Sequence, residues 1–304
     1  MSSELNAVTG AFGFSGRYIT ERLLAKGISV VSLTGHPERS HNFGDRVTSK
    51  PFSFDDPTEL AKSLQGVTTL YNTYWIRFER DNITFDKAVA NSCVLIDAAK
   101  SAGVRRIVHI SITNPSVDSP LPYYSGKALV EETIVESGLS YAILRPNVLF
   151  GDQGILINNI AWFLRHLPMF GVPGSGEYKI QSIFVEDLAD LAVEWGGRGE
   201  NTIFDAVGPE VYTFDNLIRL IKDVINSRAI VIHIPPIFAL AATQIIGTLV
   251  HDVVLTPEEV NGLLANLLVS KNEPTGHTSL AGWIESNREW LGKEYFSEVK
   301  KHFQ

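Results

Sequence analysis

The run Asn6-Ala7-Val8 leads directly into Thr9-Gly10-Ala11-Phe12-Gly13-Phe14-Ser15-Gly16. A helical pattern follows, with Ile19, Leu23 and Leu24 on one face and Gly27 placed to stop it. A strand that turns into a helix through glycines three residues apart constrains the fold more than any other feature of the chain. Gly10 lets the chain turn sharply, Gly13 lacks the Cβ that would hold a pyrophosphate off the backbone, and Gly16 lets the helix lie close to its strand. A diphosphate placed there meets free N–H groups at the positive end of a helix. Surface turns are also glycine-rich, so it is the position, after the first strand and opening a helix, that points to a dinucleotide.

The rest of the N-terminal half repeats the strand–helix alternation. Strands are expected over 28–33, 47–54, 67–73, 106–111 and 141–144, with Pro51 marking an irregularity in the third strand of the chain. Asp56-Pro57-Thr58-Glu59 is a helix start, with an N-cap, a proline at the first helical position and an acid in the first turn. Long helices are expected over 84–102 and 123–137, closed by Gly103 and Gly138. Such alternation predicts βαβ units in a doubly wound parallel α/β sheet, with ligands at the carboxyl ends of the strands. The glycine loop and the segments 34–39, Asp55, 72–78, 111–114 and 145–151 should therefore face one crevice. Beyond Gly151 the pattern loosens. Helices are expected over 155–164, 185–195 and 214–225, a strand over 202–207, a turn-rich segment over 171–176, and a capped helix starting at Thr256-Pro257-Glu258-Glu259. The chain divides into a nucleotide-binding core over 1–151 and, over 152–304, the remaining core elements with a smaller, mostly helical C-terminal lobe.

Charge and composition narrow the function. The net charge of −8 argues against nucleic acid, whose phosphates demand clustered Lys and Arg. The most apolar stretch, 237–255, is interrupted by Gln244, His251 and Asp252, and is too short and polar to span a bilayer. It is expected as an amphipathic helix buried in the C-terminal lobe, with no membrane partner. The single cysteine, Cys93, forms no internal disulfide, and with no basic-then-apolar leader a cytoplasmic location is expected. The histidines are scattered and no metal site is expected.

Tyr123 and Lys127, four apart on a predicted helix, share one face. An ammonium beside a phenol stabilises the phenolate, which suits Tyr123 to general acid–base work. The set Thr9-Gly10-x-x-Gly13-x-x-Gly16, Tyr123-x-x-x-Lys127, Leu144-Arg145-Pro146-Asn147-Val148-Leu149-Phe150-Gly151 and Phe184-Val185-Glu186-Asp187-Leu188-Ala189 occurs in that order. Together these motifs resemble the extended and atypical short-chain dehydrogenase/reductases, a branch with epimerase/dehydratase-like, NmrA-like and complex I nucleotide-binding accessory-subunit-like members. The resemblance covers roughly the first two-thirds of the chain. It implies a Rossmann-like fold and an NAD(P)(H)-dependent oxidoreductase or epimerase/dehydratase-type enzyme acting on a small carbonyl or hydroxyl substrate. The alternative is a non-catalytic NADPH-binding sensor or assembly protein. By resemblance Tyr123 is the acid/base, Lys127 its partner and a holder of the nicotinamide ribose, and Thr113, or alternatively Ser111, the hydroxyl that orients the substrate. Asp55 resembles the family's acid that bonds adenine, although a capping role beside Asp56 reads equally well.

Cofactor contacts are expected from Gly10, Phe12, Gly13, Phe14, Gly16, Thr34, His36, Arg39, Asp55, Asn72, Thr73, Lys127 and Pro146. The second strand ends in Thr34-Gly35-His36-Pro37-Glu38-Arg39, with no acid at its tip and Arg39 in reach, so NADP is expected over NAD. Substrate contacts are expected, by crevice position, from Tyr74, Trp75, Arg77, Asn147, Phe150 and Phe184, although each aromatic could equally be core. A homodimer is possible.

Overall fold

The computed structural model describes residues 4–38 and 41–299. The chain forms two compact units, Met1–Pro146 with Val185–Ala206, and Asn147–Phe184 with Val207–Gln304.

The first unit is a seven-stranded sheet. Its strands are β1 (Leu5–Thr9), β2 (Ser29–Thr34), β3 (Val47–Pro51), β4 (Thr69–Asn72), β5 (Arg106–Ile110), β6 (Ser140–Pro146) and, from after the excursion into the second unit, Thr202–Ala206. Four short strands of the second unit intervene in the chain, so this last strand is β11. The order is β3-β2-β1-β4-β5-β6-β11, and every pairing is parallel. Strands buried on both faces read as continuous apolar runs, which is why the sequence displays them so clearly. Helices α2 (Pro57–Ser63), α3 (Phe85–Ser101) and α4 (Pro122–Glu136) close one face around Leu33, Leu64, Leu70, Ile96, Ile107 and Ile134. Helix α1 (Phe14–Ala25) lies against α6 (Val185–Gly196), tied by Arg22 to Glu186 at 2.6 Å and to Asp190 at 2.9 Å. The Asp56 carboxylate accepts from the Glu59 N–H at 3.0 Å and Pro57 opens α2, as the sequence predicts.

The third strand is shorter than the expected 47–54. Pairing ends where Pro51 meets Thr34, because proline brings no N–H to the ladder.

The second unit holds α5 (Ile155–His166), α7 (Phe214–Val224), α8 (Pro236–Val250), α9 (Pro257–Leu264) and α10 (Leu280–Ser286). Its strands pair as β7 (Leu149–Phe150) with β10 (Ile183–Phe184), β8 (Met169–Pro173) with β13 (Ile230–Ile234), and β9 (Lys179–Ile180) with β12 (Tyr212–Thr213). Its core gathers Ile157, Ile160, Leu164, Val172, Leu217, Ile218, Ile221 and Leu291. The segment expected as turns is a strand up to Pro173, and the turns lie at Gly174 and Gly176, where φ is +63° and +72°. Thr256 and Glu259 form a reciprocal capping box at the start of α9.

The apolar stretch expected to be buried is not. In α8 only Ala239 and Gly247 are buried, while Ile237, Phe238, Ile245 and Leu249 stand between 64% and 74% exposed. Among the described residues no helix is long and apolar enough to cross a membrane.

Candidate functional site

The glycine loop is a backbone cradle. β1 ends at Thr9, and Gly10 turns the chain with φ +64° while its N–H donates to the Leu33 carbonyl at 2.7 Å. The Gly13 N–H donates to the Gly10 carbonyl at 2.8 Å, and α1 opens at Phe14 with no side chain capping it. A helix leaves its first N–H groups without intrahelical acceptors, so an uncapped start can serve an anion. A Cβ at Gly16 would lie 2.2 Å from the Gly10 carbonyl oxygen. One at Gly13 would meet only that oxygen, at 3.1 Å, and otherwise open space. Gly16 is thus required for close packing, and Gly13 keeps the approach to the loop clear.

At the tip of β2 the Thr34 hydroxyl accepts from the His36 N–H at 3.2 Å, and His36 is exposed. Arg39 lies outside the described residues. Phe12 stacks on His41 with ring centroids 4.3 Å apart and lies 6.2 Å from Phe43, so an aromatic stack braces the glycine loop. Asp55 is exposed, and the capping role belongs to its neighbour Asp56. Tyr74 packs among Phe52 and Phe54 at 5.2 and 5.0 Å, and its hydroxyl accepts from Asn91 at 2.9 Å. Burial raises its pKa.

Asn72 and Thr73, expected to touch the cofactor, are internal ties. Asn72 is fully buried. Its Oδ1 accepts from the Thr9 hydroxyl at 3.2 Å and the Tyr74 N–H at 3.1 Å, and its Nδ2 meets His109 Nδ1 at 3.1 Å. The Thr73 N–H donates to the Thr9 hydroxyl at 2.6 Å, and the Thr73 hydroxyl donates to the Thr9 carbonyl at 2.5 Å. With Oδ1 already accepting twice, the Asn72 amide must donate to His109 Nδ1, which fixes the proton of His109 on Nε2. Burial, then the positive charge of Lys127, holds the His109 pKa well below the usual range. This chain of contacts joins the ends of β1, β4 and β5 under the glycine loop. His109 is not among the residues expected at the site, and its one signal in the sequence is a lone imidazole inside the strand Arg106-Ile-Val-His-Ile110.

The predicted pair sits on α4. Lys127 is 2% exposed, its Nζ donates to the Ile110 carbonyl at 2.8 Å, and it lies 4.6 Å from the centre of the Trp75 ring. Burial pushes its pKa down to about 7, partly offset by Glu131. Tyr123 is half-buried and meets Trp75 edge-on at 5.9 Å and Phe85 at 5.8 Å. Behind the pair, the buried carboxylate of Glu131 takes a two-pronged bond from Arg145, whose Nε lies at 3.0 and 3.1 Å.

Of the two orienting hydroxyls, Thr113 is committed elsewhere. It is fully buried, donates through Oγ1 to the Arg145 carbonyl at 3.0 Å, and donates its N–H to the Pro146 carbonyl at 2.9 Å. Ser111 Oγ is buried with no hydrogen-bond partner among the described residues. Pro146 is buried at the end of β6. Arg77 lies on the loop after β4, its guanidinium 5.8 Å from the Phe78 ring.

Asn147, Phe150 and Phe184 belong to the second unit. Phe150 has no exposed surface and packs against Phe184 at 5.3 Å and Trp283 at 5.6 Å, so it is a core residue rather than a substrate contact. Asn147 is buried with both carboxamide atoms unpaired among the described residues. Among the described residues no group of three or more His, Cys, Asp or Glu could hold a metal ion.

Residues 10–160 match the NAD(P)H-binding family. The chain is 25% identical over 292 residues to the mitochondrial NADH dehydrogenase [ubiquinone] 1 alpha subcomplex subunit 9 of Arabidopsis thaliana, covering 90% of this chain and 72% of that one. It is 26% identical to the subunit of the same name from Dictyostelium discoideum over 71% of this chain, and spans 62% of that relative's length. The fold superimposes on the NADPH-dependent quinone oxidoreductase of Escherichia coli, solved with NADPH, with TM-score 0.71 and 21% identity over 93% of this chain and 99% of that one. The open approach at Gly13, the uncapped start of α1 and the buried hydroxyl of Ser111 fit a dinucleotide. Residues 10–160 thus carry an NAD(P)H-binding domain, and the fold around it is the Rossmann-type fold of the solved oxidoreductase.

Proposed function

We propose that this protein is an NADP(H)-dependent oxidoreductase that moves a hydride between nicotinamide and an oxygen-bearing carbon of a small organic substrate. The observation that carries this reading is half-buried Tyr123 one turn before buried Lys127 on a single helix of the unit that holds the glycine cradle. The bound nicotinamide supplies or accepts the hydride. The chain's own residues do the remainder. Gly10, Gly13 and Gly16 let the diphosphate approach the backbone at the uncapped start of α1. Tyr123 gives a proton to the substrate oxygen on reduction and takes it back on oxidation, and the charge of Lys127 favours the phenolate between the two steps. The Ser111 hydroxyl donates to the same oxygen, a task for which Thr113, bonded to Arg145, has no proton to spare. NADP is favoured over NAD because Thr34-Gly35-His36 places no acid at the tip of β2 to bond a ribose diol. The aromatic rings of Tyr74, Trp75 and Tyr123 suit a flat conjugated carbonyl, in line with the quinone substrate in the name of the E. coli neighbour.

A second reading, a nucleotide-binding assembly or sensor protein, is favoured by the closed state of Lys127 and by the respiratory-complex subunits among its relatives. Calorimetry with NADPH and NADH, followed by turnover with quinones and other conjugated carbonyls, separates the readings. The expected result is tighter NADPH than NADH and, for Tyr123→Phe, unchanged nucleotide binding with a turnover loss of about 10²–10⁴-fold. Tight NADPH binding with no turnover of any acceptor favours the assembly or sensor protein. No response to either nucleotide overturns both.

A further inference from the structure

Lys127 is buried, and two groups that differ in kind lie against its ammonium. One is the Ile110 carbonyl, main chain at the centre of the sheet, 2.8 Å from Nζ. The other is the indole of Trp75, 4.6 Å away, on the segment 73–84 between β4 and α3. With Lys127 2% exposed, a ligand oxygen reaches its ammonium only if a neighbour gives way. A hydrogen-bonded central strand does not move, but a side chain on a connecting loop does.

The seat of the indole is built for occupancy without a polar anchor. Gly126 precedes Lys127 on α4, and a Cβ there would lie 3.0 and 3.3 Å from the Trp75 ring and 3.2 Å from Val89. The helix therefore offers a flat notch, with Tyr123 edge-on to the indole on the other side. The Trp75 Nε1–H is buried with no acceptor among the described residues. The resting pose gains apolar contact and a cation–π contact while leaving a hydrogen-bond donor unpaired, so departure from the notch restores what the pose forgoes.

We propose that Trp75 is the gate of the Tyr123–Lys127 pair, and that a nicotinamide nucleotide reaches Lys127 only by expelling the indole from the Gly126 notch. The inference rests on the NADP(H) reading above. Entry of the nicotinamide end and movement of the segment 73–84 are then one event, whereas the adenosine end, held at the glycine loop and β2, binds without it. Occupancy of the site is thereby reported at the surface by a loop.

The full-length chain labelled with fluorotryptophan tests this by fluorine NMR. The Trp75 signal, one of five, is identified as the one missing in Trp75→Phe. Saturating NADPH should shift or broaden it, and adenosine 2′,5′-bisphosphate, which lacks the nicotinamide ribose, should not. Trp75→Leu should tighten NADPH about threefold to tenfold, as expected for losing one competing cation–π contact, and leave the bisphosphate unchanged. A Trp75 signal that stays still while calorimetry shows NADPH bound overturns the gate and leaves the NADP(H) reading intact. Weaker NADPH binding by Trp75→Leu makes the indole a wall of the site and also overturns the gate. No calorimetric response to NADPH or NADH sinks both.

Discussion

Replacing Lys127 by methionine should make the protein more stable, and by an amount that depends on pH. Burial moves the ammonium pKa from an ordinary 10.5 to about 7. Below about 7 both folded and unfolded chains hold the proton, and the folded chain carries the full penalty of a buried charge. Between about 7 and 10.5 the unfolded chain keeps a proton that the folded chain has shed, so stability rises with pH. At about 1.4 kcal/mol per pH unit, the whole window is worth about 5 kcal/mol. Methionine fills a similar volume without charge, but it forfeits the bond to Ile110 and the contact with Trp75, together about 2 kcal/mol. The expected balance at pH 6 is a gain of about 2–3 kcal/mol for Lys127→Met, shrinking and reversing by pH 9.5. Urea unfolding of both proteins at pH 6, 7.5 and 9 measures it, because titrations common to both cancel in the difference. Parallel stabilities across that range would refute the burial of a charged lysine at this position.

Four further substitutions probe how the chain is packed. Gly16→Ala puts a Cβ 2.2 Å from a carbonyl oxygen that cannot yield, and should destabilise by about 1–3 kcal/mol in thermal unfolding while abolishing NADPH binding. Glu131→Gln breaks the buried carboxylate–guanidinium pair and should lower stability by about 3 kcal/mol, measured in urea at pH 7. Phe238→Ser and Leu249→Ser on α8 should change stability by less than about 0.5 kcal/mol, because both side chains are already in water. A loss several times larger in either would show that α8 is covered.

Much of the first unit was readable because its signals are local. Asp56-Pro57, Thr84 and the glycines closing α3 and α4 act within one turn, and buried parallel strands display their apolar runs directly. The pair β8–β13 carries no such signal, since its two halves lie some sixty residues apart and Gly171 and Pro173 disguise the first of them as a turn. Side-chain direction was the other hidden quantity. Asn72 and Thr113 stand at strand ends where ligands gather, yet one turns inward to His109 and the other bonds Arg145. Sequence position places a residue in a crevice, but only its partner decides whether it faces the ligand. For α8 the expectation failed for an energetic reason: an uncharged apolar run favours burial, but favouring burial does not supply a neighbour.

The seventh strand of the first unit has a consequence for biogenesis. Ala142, Ile143 and Leu144 of β6 are fully buried, and among the described residues their outer edge pairs with Thr202–Ala206. A ribosome that has already released the glycine cradle and the Tyr123–Lys127 helix therefore still holds a sheet with one raw margin and no α6 across its back. That margin is sticky until the intervening stretch of the other unit has been threaded past it. Clipping the gene just after Gly151 would make the vulnerable state permanent and yield inclusion bodies rather than a minimal binding module. The cradle for the diphosphate is translated first, yet the sheet that carries it is complete only at Ala206.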